Sequence, residues 1–130
     1  MTTMGRLQGL LSRWLPALLW MGLIFYLSSW PDPPRHPDNL IDTVVKKMIH
    51  VAEYAILACL LWRALSNAKS ASNTPTALSL ILSFLYALSD EYHQSLVPGR
   101  NCSVVDVGID AMGALLFLAL LKLLRERRRS

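Results

Sequence analysis

The chain has 130 residues, of which 53% are hydrophobic and 17% charged, and its formal net charge is +4. Soluble domains carry nearer a quarter charged residues, so this composition favours a membrane protein and excludes disordered, collagen-like and disulfide-scaffold classes. The positive charge does not indicate binding of nucleic acid. The tail at residues 125–130 supplies four of the thirteen basic residues and directly follows an apolar segment, as a membrane-orienting segment does.

Four apolar segments predict four transmembrane helices, because about 20 apolar residues in a helix cross the roughly 30 Å hydrocarbon core of a bilayer. They lie at about residues 14–30, 44–65, 75–93 and 103–124, within one domain over residues 1–130. The first is uncharged and is bracketed by Trp14 and Trp30, as suits two membrane interfaces. Its alternative interpretation is a signal peptide. The second and third reach membrane length only with their polar flanks.

The connections between these segments are polar. Residues 31–43 hold four prolines, which disfavour helix and favour extended backbone. Residues 66–75 read as a polar linker, and residues 94–103 contain the turn-forming pair Pro98–Gly99. The sequence therefore predicts an all-α bundle with short loops.

Lysine and arginine are unequally divided between the two ends of this predicted bundle. The end with both chain termini carries nine of them, and the opposite end carries four. Because basic residues accumulate on the cytoplasmic side, we expect both termini in the cytoplasm and a multi-pass protein of the inner membrane. Eight of the nine acidic residues lie in or beside the outward half, so a polar, ionisable site is expected to face outward.

Ionisable residues recur at helical spacing near the outward end of three segments. Such residues are costly inside a membrane and usually face a cavity, a partner or a pathway. At about 100° per residue, those of each segment share a face, so the three faces are expected to converge on one pocket. The members are Lys47, His50, Glu53 and Tyr54; Asp90, Glu91, His93 and Gln94; and Asp106 and Asp110.

Two chemistries fit this predicted pocket. The first is binding, hydrolysis or transfer of a phosphorylated or otherwise anionic lipid head group, with Arg100 and Lys47 on the anion. His93 or His50 would act as acid–base or nucleophile, and three carboxylates would orient them. Those carboxylates are Asp90, Glu91 and Asp106. Further binding residues would be Gln94, Glu53, Tyr54, Ser103 and Asp110.

The second chemistry is a divalent metal site. His50 with Glu53, and Glu91 with His93, offer nitrogen and oxygen ligands, although no familiar spacing such as H-E-x-x-H occurs. Structural roles compete with both chemistries. The pattern Ser103-x-x-Asp106 is typical of a helix-capping box, and Asp110 could form a buried pair with a lysine or histidine.

Three stretches resemble the VanZ-like family of small bacterial membrane proteins. Residues 90–106, DEYHQSLVPGRNCSVVD, resemble its signature of DExHQ, PGR, then S and D. Residues 26–31 (YLSSWP) resemble the end of its first helix, and residues 46–54 (KKMIHVAEY) resemble its K-x-x-H-x-x-x-Y segment. Asp110 and Gly113 occupy the place where many relatives show an asparagine followed by a small residue, so Asp110 is a carboxylate where those relatives are neutral. The resemblance implies an integral membrane protein of the cell envelope, in a family named after a member associated with teicoplanin resistance.

The sequence thus predicts an outward-facing pocket that binds or processes an anionic envelope lipid or cell-wall lipid intermediate, with an effect on glycopeptide susceptibility. Three alternatives remain open: a non-catalytic lipid- or antibiotic-binding factor, a small proton-coupled carrier, and a structural subunit. The carrier is disfavoured because the inner half offers no matching polar residues and no inverted repeat is evident.

Overall fold

The computed structural model describes residues 2–31, 39–66, 72–100 and 102–130. These residues form four α-helices and contain no β-strand. The helices are α1 (Thr3–Ser28), α2 (Asn39–Leu65), α3 (Thr74–Ser95) and α4 (Val104–Arg127). The predicted all-helical architecture is confirmed. Residues 32–38 of the predicted proline-rich loop and residues 67–71 of the predicted inner linker lie outside the described residues.

The helices extend beyond the apolar segments from which they are predicted. α1 begins at Thr3, well before residue 14, and its extension carries Arg6. α2 begins at Asn39 rather than near residue 44, with Asp42 placing a negative charge in its first turn. Hydropathy detects only the apolar part of a helix, whereas the helix continues through polar residues whose side chains reach water.

The helices run alternately up and down the bundle. Near the end of α3, Gln94 donates a hydrogen bond to Ser28 at the end of α1. One turn earlier, Asp90 accepts a hydrogen bond from Tyr54 near the middle of α2. We call this end of the bundle, where α1 and α3 finish and α2 and α4 begin, the polar end. The opposite end contains both chain termini and is called the terminal end.

Two apolar cores run along the bundle. The main core contains Ala17, Ile24, Tyr54, Leu57, Leu61, Ala87 and Val107. The second contains Ala58, Ala114 and Leu118, between α2 and α4. α1 supplies Ala17 and Ile24 to the main core, so a chain whose first segment had been cleaved as a signal peptide would lose part of that core.

α2 and α4 approach each other closely at Gly113. A Cβ atom built on Gly113 would lie 2.3 Å from the backbone oxygen of Val51. No side chain fits at that distance, so glycine lets the two backbones touch at this level. This contact holds the first half of α2 against the first half of α4, where the polar residues lie.

The outer surface of the bundle is apolar on every helix. Large hydrophobic side chains with more than half of their area exposed include Leu19, Met48, Leu85 and Leu120, one from each helix. Soluble proteins rarely expose apolar surface on this scale, whereas hydrocarbon accepts it. α1 and α4 are each long and apolar enough to cross a membrane. The charged side chain of Asp90 in α3 is buried inside the bundle rather than exposed on this surface.

Candidate functional site

A buried chain of polar side chains joins three helices at the polar end. Gln94 Nε2 donates to Ser28 Oγ at 3.2 Å and to Asp90 Oδ2 at 3.0 Å. The hydroxyl of Tyr54 donates to the same Asp90 oxygen through a longer bond of 3.4 Å. Asp90 is only 3% exposed, and its Oδ1 has no hydrogen-bond partner among the described residues. The carboxylate therefore keeps one buried oxygen with unused acceptor capacity.

His50 of α2 and Asp110 of α4 form a second polar contact. His50 Nδ1 lies 3.1 Å from Asp110 Oδ1, and Asp110 is 1% exposed. The two atoms are within ion-pair distance, but no well-directed hydrogen bond joins them, so the attraction is electrostatic when the imidazole is protonated. Glu53 Oε2 lies 3.9 Å from the same nitrogen. We call Glu53, Asp90 and Asp110, which all lie within electrostatic range of His50, the acidic cluster.

His93 is held against the end of α1. Its ring stacks on Phe25 with centroids 4.1 Å apart, and its Nε2 lies 2.9 Å from Ser29 Oγ. The Ser29 hydroxyl donates its single hydrogen to the carbonyl of Phe25 at 2.7 Å. Ser29 Oγ must then accept from His93, which places the proton of the neutral imidazole on Nε2 and leaves the Nδ1 lone pair without a partner among the described residues. This is the arrangement of a general base.

Arg100 also reaches the end of α1. Its Nη1 lies 3.2–3.3 Å from the carbonyl oxygens of Leu27, Ser28 and Trp30, to which it donates. The carbonyls of Leu27 and Ser28 lie in the last turn of α1, at the negative end of the helix dipole, so the cation stabilises the helix terminus. Nη2 and Nε make no hydrogen bond to the described residues. One edge of the guanidinium is structural, and the other remains available to a ligand.

Glu91 and Ser103 join the end of α3 to the start of α4. The Ser103 hydroxyl accepts from the backbone N–H of Val105 at 3.1 Å, which makes Ser103 the N-cap of α4. In a capping box, Asp106 would accept from the backbone N–H of Ser103. Glu91 of α3 accepts from that N–H instead. Asp106 is half-buried in the first turn, within electrostatic range of Glu91.

Lys47 is not brought to the site. It is exposed and makes no hydrogen bond or ion pair with the described residues. The neighbouring Lys46 pairs with Asp42 at 2.7 Å, one turn away on the same helix. The second cation predicted for the pocket is therefore missing from this arrangement, and Arg100 is the basic residue that lies among the predicted site residues.

The four side chains that suggested a metal site turn to different partners. His50 lies against Glu53 and Asp110, whereas Glu91 contacts Ser103 and His93 contacts Ser29. Within the described ranges, no three His, Cys, Asp or Glu side chains are grouped so that they could hold a metal ion.

Three site residues at the end of α1 are missed by the spacing argument: Phe25, Ser28 and Ser29. They are uncharged, so an inventory of ionisable residues passes over them. Ser28 is 4% exposed and bonds to Gln94, while Ser29 and Phe25 fix the ring of His93. The available signal is the resemblance of residues 26–31 to the end of the first helix of the VanZ-like family.

A model of the VanZ/LLP1 family matches residues 13–125. The chain belongs to this family. The matched range includes all four helices in large part and every residue of the polar end described above, and it confirms the resemblance drawn from the sequence. Neither a curated protein nor a solved structure matches the chain. Together with the two apolar helices of membrane length, membership of VanZ/LLP1 indicates a membrane protein.

Proposed function

We propose that this VanZ/LLP1 protein binds the phosphate-bearing head group of an anionic envelope lipid, or of a cell-wall lipid intermediate, at its polar end. In this proposal all four helices span the inner membrane, both termini are cytoplasmic, and the polar end faces outward. The asymmetry of basic residues supports the orientation. The exposed apolar side chains on every helix support the four spans. An effect on glycopeptide susceptibility would follow from the lipid that is bound.

The observation that carries this proposal is the convergence of Arg100 and His93 on the last turn of α1. Arg100 is anchored through Nη1 and keeps Nη2 and Nε for a ligand. Two parallel N–H groups of a guanidinium match two phosphate oxygens, and such charge-assisted bonds are stronger than neutral ones. His93 is held by Ser29 close to the same helix end and can donate a further bond when protonated.

The acidic cluster sets the depth at which the anion binds. Three carboxylates in a medium of low dielectric constant repel a phosphate strongly. The head group is therefore expected to stay at the rim, on Arg100, while its hydrocarbon tail lies in the bilayer against the apolar outer faces. This division suits a lipid whose charge is confined to one end.

Hydrolysis or transfer at the same phosphate ester is a second candidate function, and the free Nδ1 of His93 favours it. In hydrolysis, Nδ1 would take a proton from water as its oxygen attacks phosphorus. The bond from phosphorus to the lipid oxygen then breaks, and the proton passes to that leaving oxygen. His93→Gln would abolish phosphate release but leave lipid binding within a few-fold of the native value.

Native mass spectrometry of the protein purified from its membranes tests the proposal. We expect the native protein and Lys47→Gln to retain a phosphorus-containing lipid. The Arg100→Gln variant should retain at most about one tenth as much of this lipid, as expected for loss of a charge-assisted pair of hydrogen bonds. Arg100→Lys, which keeps the charge but not the planar fork, should fall between them.

Thermal unfolding of each variant separates loss of ligand from loss of fold, because Arg100 also stabilises the end of α1. A native protein without bound phospholipid or phosphorylated lipid contradicts the proposal. Equal retention by the Arg100→Gln and Lys47→Gln variants contradicts it as well.

A further inference from the structure

A groove of about 540 Å³ opens at the terminal end, far from the polar end, between the start of α3 and the last turns of α4. Its two walls are single helical faces. On α4, Leu118, Lys122, Arg125 and Arg129 recur at spacings of four, three and four residues, and the α3 wall begins at Asn73.

The groove changes character along its length. Its deep part is apolar and includes Leu80, Leu115 and Ala119. Its mouth is lined by Lys122, Arg125 and Arg129, with Glu126 as the one acidic residue among the lining side chains that the structure describes. From residue 115 to residue 122, the apolar part of α4 rises about 10 Å, which is a large part of the depth of one leaflet.

Two further features make the mouth a site for an anion. Arg125 is held in place by the ring of Trp62, 5.7 Å from the ring centroid. Thr76 lies in the first turn of α3, where the helix dipole favours negative charge. Three basic side chains and the first turn of α3 thus surround the mouth of the apolar groove.

We propose that this groove binds one anionic glycerophospholipid from the leaflet at the terminal end, with its phosphate between Arg125, Arg129 and Thr76 and an acyl chain along Leu118 and Ala119. A zwitterionic lipid carries an ammonium group that these cations repel, so phosphatidylglycerol is preferred over phosphatidylcholine. The site is separate from the polar end, and its occupation does not depend on the function proposed there.

Binding of defined lipids to the full-length protein in mixed micelles, followed by native mass spectrometry, tests this site. We expect phosphatidylglycerol to bind about tenfold more tightly than phosphatidylcholine. The double variant Arg125→Gln/Arg129→Gln should lose most of that preference, because each basic residue near an anionic surface contributes appreciably. The matched control Arg127→Gln/Arg128→Gln removes the same charge from outside the groove. It should change the preference for phosphatidylglycerol by less than about threefold.

A second pair of variants tests the apolar part without changing charge. Ala119→Trp fills the groove and should abolish binding of phosphatidylglycerol, whereas Leu120→Trp, on the neighbouring exposed position, should leave it intact. Equal losses in the two arginine double variants would overturn the proposal, since the basic tail would then act only as a diffuse charge. Unchanged binding in the folded Ala119→Trp variant would overturn it too.

Discussion

The two ends of the bundle place their charges in opposite ways. At the polar end, Asp90 and Asp110 are buried between helices and depend on Gln94, Tyr54 and His50 for partners. At the terminal end, no charged residue is buried among the described residues, and the basic residues line the rim. Buried charges are costly unless each has a partner, whereas rim charges remain solvated. We therefore expect the geometry of the polar end to tolerate substitution less than that of the terminal end does.

Disrupting the close contact of α2 with α4 is expected to have the largest effect on stability. Gly113→Ala places a Cβ atom 2.3 Å from Val51 O, so the two helices must separate and disturb the acidic cluster. We expect a loss of about 1–3 kcal/mol or more in the free energy of unfolding. Denaturant unfolding in detergent micelles, followed by circular dichroism, measures it.

Gly108→Ala is the control on the same helix, because nothing lies within 4 Å of the position that its added Cβ atom would take. It should change stability by less than about 1 kcal/mol. Equal effects of the two substitutions would mean that the helices do not meet as closely as described.

Loss of the ion pair between His50 and Asp110 is expected to have the next largest effect on stability. Asp110→Leu leaves His50 Nδ1, which is buried, facing an apolar side chain, at an expected cost of about 1–3 kcal/mol. Asp110→Asn keeps the size and a carbonyl oxygen and should cost less than half as much. Thermal unfolding compares them. A leucine variant as stable as the native protein would show that the polar end does not need this pair.

Loss of the N-cap of α4 is expected to have a smaller effect on stability. Ser103→Ala removes the acceptor for Val105 N–H and should cost about 1 kcal/mol. Ser103→Asn restores a capping acceptor and should recover most of that loss, as measured by unfolding in denaturant. If asparagine restored lipid binding but not stability, Ser103 would be a ligand residue rather than a cap.

The smallest effect is expected for a buried hydroxyl without a partner. Ser83 is fully buried, and its Oγ makes no hydrogen bond within the part of the chain that the structure describes. Ser83→Ala should therefore change the unfolding free energy by less than about 0.5 kcal/mol, or raise it. Ser79, which bonds to Thr76 O, provides the comparison, since its replacement by alanine should be the more costly of the two.

The all-helical fold was predictable because apolar runs of suitable length have few other structures available in a membrane. The bounds of the helices were harder to predict, since the polar residues that extend α1 back to Thr3 do not stand out in hydropathy. Length and composition indicate two membrane-spanning helices, α1 and α4, and averaging along α3 counts the buried Asp90 as though it faced lipid.

The candidate site was predictable only in part. Helical spacing places His50, Glu53 and Tyr54 on one inward face. Spacing does not say how far along α2 the neighbouring helices cover that face, and Lys47 is exposed. The role of Arg100 at the end of α1 rests on contacts about 70 residues apart in sequence, which no local pattern encodes. Uncharged partners such as Ser29 give no signal in a search for charges.

Titration of the purified protein with a short-chain polyprenyl phosphate and with the corresponding neutral polyprenol tests the central claim most directly. The two ligands share a tail and differ only in the phosphate, so the ratio of their dissociation constants isolates recognition of the head group. We predict that the phosphate binds about tenfold or more tightly, and that Arg100→Lys reduces this ratio while Lys47→Gln does not. Equal affinity of the native protein for the two ligands would contradict the account.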